Sequence, residues 1–276
     1  MKKTKELVEG VNICDNNTYH ADRKYLSSSV LKVINKSLDL YHLEYILGQK
    51  KEVSKETQAI FDYGTLCHSY ILEPETMSSD FNFYPGFRKA GKEFEDYKAT
   101  LTNMRLPIIS ASQNEQAKDL IKAYAAHPVA RDLIQGGFPE YTVCGELFGV
   151  PIKVRTDYVN LDKGYIVDVK TTGYASDRDS FAVTVEGLQY QLSAALYLAI
   201  LEQTFAKRFE FYFLVLSKKN KTCDVLKLSD ATREAGNVLV RNACDKYRTA
   251  KATGNWTEFF DVKPVDPPTN YEILEV

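Results

Sequence analysis

Val154-Arg155-Thr156-Asp157-Tyr158-Val159, then Asn160-Leu161-Asp162-Lys163-Gly164, then Tyr165-Ile166-Val167-Asp168-Val169-Lys170-Thr171-Thr172 read as a strand, a turn and a second strand. Two short apolar runs flank a polar, glycine-containing turn, which is the pattern of a β-hairpin. Each strand carries an acid where an apolar residue would be expected, Asp157 in the first and Asp168 in the second. Side chains two apart on a strand share a face, so Lys170 points the same way as Asp168, and Arg155 the same way as Asp157. Buried charge is costly unless it is paired or holds a metal. Two readings follow. One is a salt-bridged hairpin. The other is a hydrolytic site in which Asp157 and Asp168 hold Mg²⁺ and Lys170 acts on water or on developing charge.

Outward from the hairpin, Tyr141 to Leu147 alternates as a preceding strand that carries Glu146, and Phe148-Gly149-Val150-Pro151 turns it into the next one. Three strands in succession are therefore expected. Glu146 reads either as a satisfied strand residue or as a further group at the metal. After the hairpin, 176–186 suggests a short helix, 187–200 a strong one, 208–216 and 222–228 a strand pair, and 231–249 a closing helix behind the cap Ser229-Asp230.

Before the hairpin, the spacing of Ile60, Gly64, Cys67 and Ile71 predicts a helix over 58–73, with His68 one turn after Gly64. A glycine inside a helix costs about 1 kcal/mol relative to alanine, so close approach of another backbone is expected there. The serines before Val30 read as helix caps, 50–56 as a charged, exposed connector, and 113–126 and 129–135 as a helical pair broken at His127-Pro128. Residues 1–25 and 75–105 read as irregular. Helices before, within and after a set of strands make an α/β architecture, a central mixed sheet flanked by helices. With neither repeat nor long linker, residues 1–276 are expected to form one domain.

Composition narrows the class. The chain has 276 residues, 26% charged, with a net charge of −2. That balance neither requires nor forbids nucleic acid, because basic residues can cluster in a groove. No run reaches the roughly 18–20 apolar residues of a membrane span, and no apolar stretch follows the basic start Met1-Lys2-Lys3. Five cysteines without a paired spacing suggest reduced thiols. Aromatics interleave with bases at Phe87, Arg88, Lys89, Lys92 and Phe94, a composition that can stack bases and hold phosphates or simply pack a core.

The step from Asp157 to Asp168-Val169-Lys170 resembles the signature of the PD-(D/E)XK nuclease superfamily, with Thr156 in place of the proline. The segment from Gly64 through His68 and Leu72 to Pro74 resembles the G-x-x-x-H-x-x-x-L-x-P segment of its exodeoxyribonuclease VIII group. The helix containing Tyr197 resembles the one that carries a Q-x-x-x-Y pair in the family. Here Ser193 stands where the Gln is expected, with Gln191 nearby. Gly254, Trp256 and the prolines Pro264, Pro267 and Pro268 resemble the family's ending.

The resemblance, spanning about 26–256, implies a restriction-endonuclease-like core. It implies a Mg²⁺-dependent 5′→3′ exonuclease on double-stranded DNA ends, acting in phage or prophage recombination in the bacterial cytoplasm. A single-strand annealing protein as partner and a ring-like homo-oligomer are implied as well, and no membrane. His68, Asp157, Asp168 and the Val169 carbonyl would be the metal ligands, with Mn²⁺ able to substitute, and Lys170 and Tyr197 would complete the catalytic set. Arg88, Lys89, Lys92 and Arg155 are the expected DNA contacts. An inactive DNA-end-binding or partner-binding protein, or an endonuclease of the same superfamily, remain the alternatives. Without metal, the two carboxylates would repel, so loss of Asp168 is expected to relieve strain.

Overall fold

The computed structural model describes residues 6–257. The strands are β1 (Gly10–Asn12), β2 (Asn82–Tyr84), β3 (Ile108–Ser110), β4 (Phe138–Leu147), β5 (Val150–Asn160), β6 (Tyr165–Thr172), β7 (Glu210–Ser217) and β8 (Thr222–Lys227). The helices are α1 (Asn16–Ala21), α2 (Ser28–Lys36), α3 (Leu38–Tyr41), α4 (Lys55–Leu72), α5 (Met77–Asp80), α6 (Lys92–Ala99), α7 (Ala111–Ala126), α8 (Pro128–Leu133), α9 (Arg178–Gly187), α10 (Tyr190–Phe205) and α11 (Asp230–Thr253).

Six strands form a mixed sheet in the order β1-β4-β5-β6-β7-β8. All neighbours are antiparallel except β6 and β7. A parallel pair needs a long crossover, and α9 and α10 supply it. Being central, β6 is buried on both faces, with Ile166, Val167 and Val169 fully inaccessible. The alternation of strand side chains sends Ile166, Phe211 and Phe213 into a core with α2, α10 and α11, and Val167, Val169 and Leu214 into a second core with α4 and α7. This is the expected α/β sandwich, a central mixed sheet with helices on both sides.

The α10–α11 crossing is close because Gly236 lacks a side chain. A Cβ there would stand 2.1 Å from the Gln191 carbonyl oxygen. By contrast, the close backbone approach expected at Gly64 is absent. A Cβ there would make an ordinary contact, 3.7 Å from Thr171 Oγ1.

Several stretches read as irregular are ordered. Asp15 caps α1 by accepting from the Thr18 N–H. The connector 50–56 already contains the start of α4, because Ser54 accepts from the Thr57 N–H and opens the helix there. The segment 75–105 contains β2, paired in parallel with β3, and α6. After α3 the chain makes a π-helical turn over His42–Ile46. Trp256 packs against Tyr41, His42 and Tyr247. The prolines Pro264, Pro267 and Pro268 and the basic start lie outside the described residues. Among the described residues, no helix is long and apolar enough to cross a membrane.

Candidate active site

The hairpin of β5 and β6 is paired at its turn end only. Its ladder runs Asn160↔Tyr165, Val159↔Ile166 and Tyr158↔Val167, and then stops. One more step of that register would set Asp157 opposite Asp168, and there the strands part. A strand edge opened inside a sheet leaves backbone groups that need partners. The Val169 N–H donates to Asp157 Oδ2 at 2.7 Å. The Val169 carbonyl accepts from His68 Nε2 at 2.7 Å and, at 3.4 Å, from Lys170 Nζ. Side-chain chemistry thus replaces the missing ladder.

The site is reached from both faces of the sheet, not from one. Helix α4 brings His68 from the side of Val167 and Val169, while Asp168 and Lys170 project to the side of α2 and α10. The gap between β5 and β6 lets them meet. A carbonyl only accepts, so the bond to Val169 places the imidazole proton on Nε2. The Nδ1 lone pair is then turned toward Asp157 Oδ2, 3.6 Å away. A lone pair facing a carboxylate is unfavourable unless a proton or a cation lies between them.

Glu140 completes this cluster, and the sequence did not single it out. The pairs Pro139↔Tyr158 and Tyr141↔Thr156 bracket it, so it faces Asp157 across the β4–β5 ladder. Its backbone has the left-handed φ of 47°. One ligand atom from each of His68, Glu140 and Asp157 lies within 4.8 Å of the others. Burial, and then the Asp157 charge, push the Glu140 carboxyl up to about 7, against the pull of Arg155. Two carboxylates and an imidazole converging in this way form an oxygen–nitrogen donor set that fits Mg²⁺ or Mn²⁺. Glu146, the acid the sequence suggested, is exposed near the far end of β4.

Asp168 stands outside the converging trio. Its Oδ2 is paired with Lys170 Nζ, and it is 5% exposed. Lys170 Nζ also lies 3.9 Å from Asp157 Oδ2. Burial alone would lower the Lys170 pKa, but Asp168 and Asp157 more than offset it and hold the ammonium protonated. The expected strain between two bare carboxylates is therefore relieved by Lys170, which contacts both. Removing Asp168 would leave that lysine with the Val169 carbonyl and the longer contact to Asp157.

Tyr197 lines a cleft of about 660 Å³ together with Ser28, Glu140, Arg155 and Asp157. Its hydroxyl is 3.5 Å from Ser28 Oγ. Burial first, and Asp168 second, raise its pKa, so it remains a donor. Ser193 is half-buried. Gln191 does not take the place of the missing Gln. It is buried against a different groove, beside Phe181, Leu226 and Ala235.

The four expected DNA contacts fare differently. Arg155 is largely committed within the fold: Nε donates to Thr142 Oγ1 at 2.8 Å, Nη1 to Asn16 Oδ1 at 2.6 Å and Nη2 to the Cys14 carbonyl at 3.1 Å. It thereby ties the N-terminal segment to the sheet, with its guanidinium over the Tyr19 ring. Lys89 donates to the Ile108 carbonyl at 2.9 Å. Arg88 and Lys92 are exposed beside the exposed Phe87.

Residues 27–259 match the sequence model of a family described as a PDDEXK-like domain of unknown function (DUF3799). No curated protein matches the chain. Among solved structures, the chain is similar to a candidate exonuclease from Eubacterium rectale, with a TM-score of 0.61 and 16% identity over 86% of this chain and 85% of that one. At that identity the likeness establishes the fold. A second structure, of SSO0001, has a TM-score of 0.29 and 15% identity over 49% of this chain and 68% of that one, which carries no argument.

Proposed function

The chain belongs to the family of PDDEXK-like domains, within the PD-(D/E)XK superfamily, and from that premise we propose that it is a metal-dependent DNA exonuclease. The reading extends to 5′→3′ hydrolysis of double-stranded ends, in recombination, by one domain over residues 1–276. The observation that carries the nuclease reading is the parted hairpin, where His68, Glu140 and Asp157 converge beside the Asp168–Lys170 pair.

In this proposal His68 Nδ1, Asp157 and Glu140 hold a divalent cation; the Val169 carbonyl, expected as a ligand, instead accepts from His68 Nε2 on the far side of the ring, and Asp168, the other expected ligand, is paired with Lys170 beside the trio. A cation held there supplies Lewis acidity toward a phosphodiester oxygen. Lys170, fixed by two carboxylates, presents N–H donors to the attacking water and to negative charge that grows on the phosphate. The Tyr197 hydroxyl donates to a phosphate oxygen in the cleft. His68, locked by the Val169 carbonyl, keeps its lone pair aimed at the cation. Mg²⁺ is the proposed ion, with Mn²⁺ as substitute because an imidazole ligand suits it. A single-strand annealing partner, a ring-like assembly and a bacterial cytoplasmic setting, phage or prophage in origin, rest on the exodeoxyribonuclease VIII resemblance alone.

Ser193 in the Gln position supports a second reading, an end-binding protein without turnover. End-labelled linear duplex and covalently closed circular duplex, each with Mg²⁺ or with EDTA, separate the cases. Loss of label from the linear form alone supports the exonuclease. Nicking of the circle supports an endonuclease, and binding without hydrolysis supports the second reading.

A further inference from the structure

Lys32 has no role in the site described so far, yet it is placed beside it. It lies on α2, one turn after Ser28, so the two share a helix face. Opposite, α10 presents Tyr197 to Ser28 and Tyr190 to Lys32. Lys32 Nζ is 5.0 Å from the centre of the Tyr190 ring, and Lys170 Nζ is 5.2 Å from the same centre. Two ammonium groups therefore converge on one aromatic ring. Asp168 pairs with Lys170. Lys32 is half-buried and, among the described residues, makes neither a hydrogen bond nor an ion pair.

A partly desolvated cation facing a second cation is unfavourable unless something negative joins it. Burial, and then Lys170, pull the Lys32 pKa down to about 8, with Asp168 acting in the opposite sense. A structural lysine would gain by turning to solvent or to a carboxylate. This one lies instead against an aromatic face, where the ring quadrupole offers weak compensation.

We propose that Lys32 is a phosphate-binding residue that grips a backbone phosphate of the DNA strand next to the one hydrolysed beside Lys170. The inference rests on the nuclease reading. Both ammonium groups lie against the Tyr190 ring, so Lys170 serves the reacting phosphate and Lys32 its neighbour. Lys32 then acts on how the strand is held and not on the bond that breaks.

The test is binding and turnover of linear duplex by the wild type, Lys32→Gln, Lys32→Met and Lys32→Arg, with Ca²⁺ for binding and Mg²⁺ for turnover. Loss of one phosphate contact is expected to lower the slope of log K against log salt by about 0.9. Affinity and KM should weaken by about tenfold at low salt, kcat should stay within about twofold, and Lys32→Arg should retain most of the affinity. Thermal melts check the fold of each variant. Should the neutral variants fail to fold, acetylation of the wild type reads the same contact, with duplex expected to protect Lys32. Unchanged affinity and salt slope in a folded neutral variant, or no protection by DNA, overturn the inference while leaving an active wild type as a nuclease. A wild type that neither binds nor cleaves duplex overturns the nuclease reading and this inference with it.

Discussion

The two ends of the β5–β6 hairpin are built from the same strands and treat polar groups in opposite ways. At the turn end the side chain of Asn160 and the turn carbonyls are closed off within the fold. Asn160 Oδ1 accepts from the Lys163 N–H, Asn160 Nδ2 donates to the Gln135 carbonyl, and Lys207 Nζ donates to the carbonyls of Leu161 and Asp162. At the other end the ladder stops before Asp157 and Asp168. The side chains of Asp157, His68 and Lys170 then take up the Val169 N–H and carbonyl. Closed hydrogen bonding favours stability, whereas a cluster of titratable groups in a gap favours chemistry. The turn end should therefore respond to substitution in stability alone, and the parted end chiefly in activity.

The largest effect is expected at Asp157, which touches the Val169 N–H and lies near both His68 and Lys170. Asp157→Ala should lower DNA turnover by about 10³-fold or more, through loss of charge that holds the cation. It should also weaken Mn²⁺ binding, read by calorimetry. Wild-type turnover in that variant would remove Asp157 from the site.

Lys170→Met should lower turnover by about 10²–10³-fold. It also leaves Asp168 buried and unpaired, so the metal-free protein should lose on the order of 2–3 kcal/mol in denaturant unfolding, discounted for the partial exposure of the pair. Divalent cation should recover part of that loss, because it supplies positive charge to the same carboxylates. A Met variant as stable as the wild type without metal would mean that the ion pair contributes nothing.

At the turn end, Gly164 has φ of 74°, and a Cβ there would stand 2.9 Å from Lys207 Cε and 3.0 Å from the Arg208 carbonyl oxygen. Gly164→Ala should cost about 1–3 kcal/mol and leave turnover per folded molecule unchanged. A fall in turnover without a fall in stability would break the division between the two ends.

The smallest effect is expected at Gly64. Its helical backbone and open surroundings favour alanine, so Gly64→Ala should stabilise by about 0.5–1 kcal/mol. Thermal melting checks the sign.

That last case shows where sequence and structure diverge. A glycine in a helix suggested a tight crossing, but the tight crossing is at Gly236, whose neighbour Gln191 is 45 positions away in the chain. Asp157, Asp168 and Lys170 were legible because strand periodicity interrupted by charge is a local pattern. His68 was legible through the segment around it. Glu140 was not, since its place depends on the β4–β5 register and on a left-handed φ that propensity does not announce. The internal commitment of Arg155 depends on Cys14 and Asn16, whose segment read as irregular. The layered α/β architecture followed from the order of helical and strand periodicities. The split in the hairpin, which makes the site, is a tertiary event in which side chains outcompete ladder hydrogen bonds.

The proposed chemistry requires a divalent cation at the parted end of the hairpin. The most direct measurement is release of nucleotides from linear duplex as Mg²⁺ or Mn²⁺ is titrated into metal-free protein, with His68→Ala run beside the wild type. No release is expected with EDTA, saturable release with either cation, and a weaker apparent metal affinity in the His68 variant. Release that persists in EDTA, or a His68 variant with the wild-type metal dependence, would contradict this requirement.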